Sequence, residues 1–200
     1  MRSLKTTNHA DGEFMAAMKS ICLYCGSSNE VDPKYIALAK DLGKRLAESG
    51  YRLVYGGGSV GLMGASANAA HEAGGDVLGI MPRFLLTKER IFEQVEHRIV
   101  DTMHERKQMM FDESDAFIVL PGGIGTLEEA VEMLSWARLG LHSKPMAFLD
   151  VDGFWSPFFE LMSHIVKDKF TPAEFLDQFA HTNTPDEAIE ALRVRHIDMK

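Results

Sequence analysis

Short apolar runs without polar alternation recur along this chain, and each is followed by apolar residues at helical spacing. The runs are Ile21-Cys22-Leu23-Tyr24-Cys25, Leu53-Val54-Tyr55, Val77 to Met81, Ala116 to Leu120 and Pro145 to Leu149. Runs of this kind are how strands buried on both faces of a parallel sheet read. Between them, Tyr35, Ile36, Ala39, Leu42 and Leu46 share one helical face closed by Gly50, and Ala130, Val131, Leu134 and Ala137 share another. Further helices are predicted at about 63–73, 103–113, 155–166 and from Pro185 to near Arg195, with a last strand near 179–181. Between Arg83 and Thr102 the pattern is weak and reads as a loop with a short strand near 98–100. The alternation predicts an α/β fold: a Rossmann-like, doubly wound parallel sheet with helices on both faces, in one domain covering 19–200.

Composition narrows the function more than the fold. The 200 residues are 46% hydrophobic, enough for one well-buried domain, and the formal net charge is −8. That charge argues against a nucleic-acid polymer as partner, because phosphate backbones call for a basic surface, but not against a small phosphate ligand held by local donors. No apolar run has the length of a membrane span, so no membrane partner is expected. Residues 1–18 read as a loose leader without the apolar segment of a secretory signal, which makes the cytoplasm the expected location. Cys22 and Cys25 form a C-x-x-C inside a strand, where residues three apart point to opposite faces. A redox pair would instead open a helix, and a zinc site would need a second pair, so both cysteines read as apolar strand residues and no metal is expected.

The chemistry concentrates where strands end. Three strand ends carry small or glycine-rich turns: Gly26-Ser27-Ser28, Gly56 to Gly61 with Gly57 and Gly58, and Gly122 to Thr126. In a parallel sheet these ends share one edge, where open α/β sheets bind ligands, so they are expected to line one phosphate-and-sugar cleft. Gly56, Gly58 and Gly61 fit G-x-G-x-x-G, but the next strand ends Gly79-Ile80-Met81-Pro82-Arg83 without the carboxylate that would hold a dinucleotide ribose. No lysine follows a glycine loop as in a P-loop. Thr126-Leu127-Glu128-Glu129 reads equally as a capping box, with Thr126 as N-cap, and as the position of a catalytic carboxylate. Arg106 and Lys107 fall between Met103 and the apolar pair Met110 and Phe111, either as side chains reaching out to water or as an anion clamp. His104-Glu105 opens like a zinc-protease helix, but Gln108 stands where the second histidine would be.

Arg106 within Met103-His104-Glu105-Arg106-Lys107, the run Pro121 to Glu129 and the tract Trp136 to Asp152 together resemble the LOG family, the cytokinin riboside 5′-monophosphate phosphoribohydrolases often labelled lysine decarboxylases. The resemblance runs from about residue 19 to the last helix. It implies a Rossmann-like homodimer that hydrolyses the N-glycosidic bond of cytokinin nucleotides and AMP, giving free base and ribose 5-phosphate without metal or organic cofactor. The family's catalytic pair falls on Arg106 and Glu129. Its substrate contacts fall on Arg106, Lys107, Gly122, Gly123, Ile124, Gly125, Thr126, Leu127 and Glu128, with Ser135 in place of a threonine and Glu89 as the acidic contact of the preceding loop. Ile124 stands where the family often has tyrosine or phenylalanine. The alternative of another class is a non-catalytic nucleotide or molybdenum-cofactor carrier of the same fold. The decarboxylase label finds little support, since Lys107 alone does not make a pyridoxal site.

Overall fold

The computed structural model describes residues 18–87 and 90–198. Among these residues, seven strands form one parallel sheet in the order β4-β3-β2-β1-β5-β6-β7, with β1 at Ser20–Tyr24, β2 at Arg52–Tyr55, β3 at Val77–Pro82, β4 at Glu96–Val100, β5 at Ala116–Val119, β6 at Met146–Leu149 and β7 at Phe179–Thr182. The helices are α1 (Pro33–Glu48), α2 (Gly61–Glu72), α3 (Met103–Asp112), α4 (Ile124–Arg138), α5 (Ser156–Lys167) and α6 (Pro185–Asp198). Strand order runs outward from β1 to β4, then restarts beside β1 at β5. The seam between β1 and β5 is thus the topological switch point, and a crevice opens outside the carboxyl ends of those strands.

Strand pleating divides the core. Ile21 and Leu23 of β1, with Cys25 just past its end, face a layer with Leu42, Leu46, Ala67, Ala188 and Leu192 from α1, α2 and α6. Cys22 and Tyr24 face the opposite layer with Met110, Ala130, Met133, Leu134 and Phe158 from α3, α4 and α5. The two cysteines therefore lie on opposite faces, and burial pushes both thiols up, with Glu129 adding to the rise. Neutral buried thiols suit packing, not redox chemistry. The small residues of α2 also have a packing reason: a Cβ on Gly43 of α1 would stand 2.2 Å from the Ser66 carbonyl oxygen. Only glycine lets the two helices approach so closely.

Two expectations change. The weak stretch 83–102 holds a full strand, β4, which pairs along Leu78 to Pro82 as the sheet edge. Its residues are partly exposed apart from Val100, so the apolar run that marks central strands is missing. The second change concerns α4, which starts two residues before Thr126: Gly123 is its N-cap and no side chain caps it. Thr126 is buried against Gly122, where an added Cβ would meet its Oγ1 at 2.2 Å. The capping-box reading of Thr126 and Glu129 is therefore excluded. A true capping box sits on α3 instead, where Thr102 accepts from the Glu105 N–H and Glu105 accepts from the Thr102 N–H.

Candidate active site

Backbone contacts draw the three glycine-rich turns together at the switch point. The Gly26 N–H donates to the Pro121 carbonyl (3.1 Å), the Leu62 N–H donates to the Gly26 carbonyl (3.0 Å), and the Gly61 N–H donates to Asn29 Oδ1 (2.8 Å). Gly61 has φ +63°, and a Cβ there would lie 2.5 Å from the Ser27 carbonyl carbon. Above these turns lies a cavity of about 360 Å³ lined by Cys25, Gly26, Ser27, Met63, Met103, Arg106, Gly123 to Thr126, Glu128 and Glu129. That volume is at the small end of the range for small-molecule sites.

Arg106 enters from α3 and is only 8% exposed. Its Nε donates to the Ile80 carbonyl (3.2 Å) and one terminal nitrogen to the Gly56 carbonyl (3.1 Å); the other lies 3.9 Å from Met103 Sδ. The side chain does not reach out to water, and two of its nitrogens are already committed. It is a fixed positive charge with one terminal nitrogen left over, not a free two-pronged anion clamp. Gly56 makes room for it, since a Cβ there would stand 2.0 Å from the terminal nitrogen that bonds Gly56. Gly56→Ala is accordingly expected to leave the fold intact but displace the guanidinium, lowering turnover by about 10²-fold; unchanged turnover at unchanged melting temperature would contradict this geometry.

Glu129 reaches the same cavity from the first turns of α4, without forming an ion pair with Arg106 among the described contacts. Burial pushes its carboxyl up to about 7, and although Arg106 and Lys107 pull it down, Glu128 and Glu132 add to the rise. Arg106 thus does not hold Glu129 fully ionised at neutral pH, as a simple facing pair would; desolvation is the larger effect. A carboxyl that titrates near neutrality beside a fixed cation in a cleft is the arrangement expected of a functional site. The uncapped N-terminus of α4 supplies backbone N–H groups beside it, a ready anion cradle.

Gly26, Ser27, Arg106, Gly123, Ile124, Gly125, Thr126, Glu128 and Glu129 meet at this cavity as expected from the sequence. Other expected contacts do not form its wall in this chain. Gly122 lies beneath Thr126, Leu127 packs against the core, and Ser135 is exposed two turns further along α4. Gly57 and Gly58 are buried behind the Arg106 anchor, with Gly58 bridged to Ile91. Lys107 is held at the rim, 2.5 Å from Glu128 Oε1 and 3.0 Å from Glu132 Oε1. Glu89 lies outside the described residues. Cys25, Met63 and Met103, which line the cavity, were not expected. Periodicity assigns all three to core packing, and only the position of Cys25 at a strand's carboxyl end could have hinted otherwise. No group of three or more potential metal ligands occurs among the described residues.

A parallel sheet with its cleft at the switch point and a helix N-terminus beside it defines a Rossmann-like α/β protein with a small-molecule site. Comparison with known proteins narrows the class. The family model described as "Possible lysine decarboxylase" matches residues 63–192. The rice cytokinin riboside 5′-monophosphate phosphoribohydrolase LOG is 48% identical over 160 residues, 80% of this chain and 66% of that protein, just under two thirds of its length. The Arabidopsis thaliana enzyme LOG3 is 42% identical over 184 residues, covering 90% of this chain and 86% of its own. The chain belongs to the LOG family. Among solved structures, the molybdenum cofactor binding protein of Rippkaea orientalis superposes with a TM-score of 0.68 at 23% identity, over 90% of this chain and 98% of that one. A molybdenum cofactor carrier from Chlamydomonas reinhardtii does so with 0.68 at 20%, over 90% and 99%. At that identity the likeness is one of fold.

Proposed function

We propose that this protein is an N-glycosyl hydrolase that cleaves cytokinin riboside 5′-monophosphates, and AMP, to free base and ribose 5-phosphate. The observation that carries the reading is the near-neutral carboxyl of Glu129 sharing one nucleotide-sized cavity with the anchored guanidinium of Arg106. The names of its relatives give the substrate class. Loss of the base develops positive charge on the ribose, which the Glu129 carboxylate stabilises while it orients the attacking water. The substrate phosphate sits on the N–H groups at the start of α4, beside Gly26 and Ser27. Arg106 contributes a fixed positive charge whose orientation needs no reorganisation during the reaction.

Lysine-based carbonyl chemistry fits less well. Burial lowers the affinity of Lys107 for its proton, but the bonds to Glu128 and Glu132 outweigh that and leave the amine above the usual lysine value. A Schiff-base lysine needs the opposite shift. The carrier reading rests on fold alone.

Incubation with isopentenyl-AMP and with AMP, followed by chromatography of the products, tests the proposal. Free base with stoichiometric ribose 5-phosphate is expected from both, and nucleotide that binds but stays intact would favour the carrier. Because the carboxylate is the working form, kcat/KM should rise about tenfold per pH unit below about 7 and level off above it; a profile flat from pH 5 to 8 would remove Glu129 from the chemistry.

We further propose a cytoplasmic homodimer with residues 19–200 as its one domain. Val131, Leu139 and Leu141 leave apolar surface along and just beyond α4 exposed. A 22.3 kDa species in sedimentation would exclude the dimer. No helix among the described residues is long and apolar enough to cross a membrane.

A further inference from the structure

Each carbonyl that holds Arg106 has a glycine beside it, and one histidine occupies the space those two glycines leave. Gly57 follows the Gly56 carbonyl, and Gly79 precedes Ile80, the other acceptor. In the sheet, Gly79 of β3 pairs with His97 of β4 on one side and with Tyr55 of β2 on the other. A Cβ on Gly79 would stand 2.6 Å from both Cδ2 and Nε2 of His97, and one on Gly57 would stand 3.4 Å from His97 Cδ2. The missing side chain at 79 lets the half-buried imidazole lie across β3, edge-on to the Tyr55 ring, and reach the turn beyond β2. There its Nε2 is 3.2 Å from the Gly57 carbonyl oxygen, while Nδ1 is 3.0 Å from the Val95 carbonyl oxygen. A neutral imidazole has one N–H and the imidazolium two, so at least one of these contacts is a hydrogen bond. Gly57 has φ +83°, the left-handed region that glycine tolerates. The far end of the turn is tied separately, by the Ser59 N–H on the Arg90 carbonyl (2.9 Å) and by the bridge between Gly58 and Ile91.

We propose that His97 is a positioning residue: its Nε2–H bond to the Gly57 carbonyl fixes the near end of the glycine turn, and so the carbonyls that aim Arg106 at the cavity. The kinetic consequences rest on the hydrolase reading; the geometry does not. Without this bond the Gly56–Gly57 peptide is free to turn, and the guanidinium loses its fixed direction. The displacement shows at Glu129. Arg106 is the stronger of the two cations that lower that carboxyl, Lys107 being the other, with Glu128 and Glu132 opposing them. Cys22, Tyr24 and Cys25 near Glu129, and Tyr55 beside His97, are pushed up by burial and stay neutral at pH 7. A guanidinium that moves away therefore lets the Glu129 carboxyl rise further.

The test is a carboxyl ¹³C NMR titration of Glu129, assigned with Glu129→Gln, in the wild type and in His97→Gln, His97→Asn and His97→Phe, alongside steady-state kinetics. Glutamine can place an amide N–H where Nε2 stands, asparagine stops short of Gly57, and phenylalanine fills the slot without a donor. In His97→Phe and His97→Asn the Glu129 midpoint is expected to move to higher pH, and kcat to fall about tenfold with KM changed less than about threefold. His97→Gln should keep the wild-type midpoint and stay within about threefold of the wild-type kcat. Ring ¹⁵N shifts should show Nε2 of His97 protonated in the wild type. Equal behaviour of the glutamine and phenylalanine variants, an unmoved midpoint in both His97→Phe and His97→Asn, or a wild-type ring protonated at Nδ1 alone would overturn the proposal in favour of packing. If His97→Phe does not fold, the contrast between glutamine and asparagine carries the test, and equal behaviour of those two would overturn it. If the wild type releases no base but the midpoints move as stated, the His97 tie stands and the hydrolase reading falls.

Discussion

Glu129→Gln is expected to lose base release almost completely, with kcat down by about 10³-fold, while the folded protein becomes more stable above pH 7. Both follow from one fact: burial raises the Glu129 carboxyl to about 7 from its ordinary value of 4.5. A carboxyl whose folded value lies above its unfolded one favours the folded state below the unfolded value. That advantage is lost as pH rises from about 4.5 through about 7, and above 7 the cost of a buried carboxylate is complete, about 3 kcal/mol. Glutamine has the shape without the charge. Urea unfolding at pH 5 and pH 8 should show the variant gaining on the wild type only at the higher pH. Equal stability of the two proteins at pH 8 would mean that Glu129 is not desolvated, and retained turnover would mean that the carboxylate is not needed. No cap is lost in this variant, because Gly123 caps α4 without any side chain.

Arg106→Met is expected to damage both activity and stability, the reverse of the first pattern. The guanidinium is buried and donates to the Ile80 and Gly56 carbonyls, so its removal strands two buried acceptors and costs about 2–4 kcal/mol. It also removes the main charge that lowers the Glu129 carboxyl, so the acid limb of kcat/KM should move to higher pH as turnover falls by about 10²–10³-fold. Arg106→Lys should rescue little, because one ammonium on a flexible stem does not reproduce a planar fork bonded on two edges. Full activity in Arg106→Lys would contradict the anchored geometry.

How far the sequence foretold this arrangement depended on the kind of signal each element carries. Central strands such as Ala116 to Val119 are buried on both faces and announce themselves as apolar runs. The edge strand β4 carries Glu96, His97 and Arg98, and its pattern dissolves because much of it meets water. At Glu129 the local sequence supports a cap and a catalytic carboxylate equally, and only the start of α4 at Ile124 separates them. Arg106 and Lys107 are neighbours with the same charge, yet one turns inward to backbone carbonyls and the other sideways to α4. Nothing in their spacing distinguishes them, because the acceptors come from residues 50 and 26 positions away for Arg106 and 21 and 25 away for Lys107. The cavity wall of Cys25, Met63 and Met103 was hidden for the same reason: apolar side chains at strand and helix ends read as core until the fold opens a cleft beside them.

The central claim is that a carboxylate from α4 and a guanidinium from α3 act on one ribose between them. Its most direct test is a crystal structure of the Glu129→Gln protein with isopentenyl-AMP bound. The phosphate is expected on the N–H groups of Gly123 to Thr126 and the anomeric carbon within about 3–4 Å of the residue 129 side chain, with Arg106 still bonded to Ile80 and Gly56. A nucleotide bound with its glycosidic bond remote from residue 129, or seated outside this cavity, would contradict it.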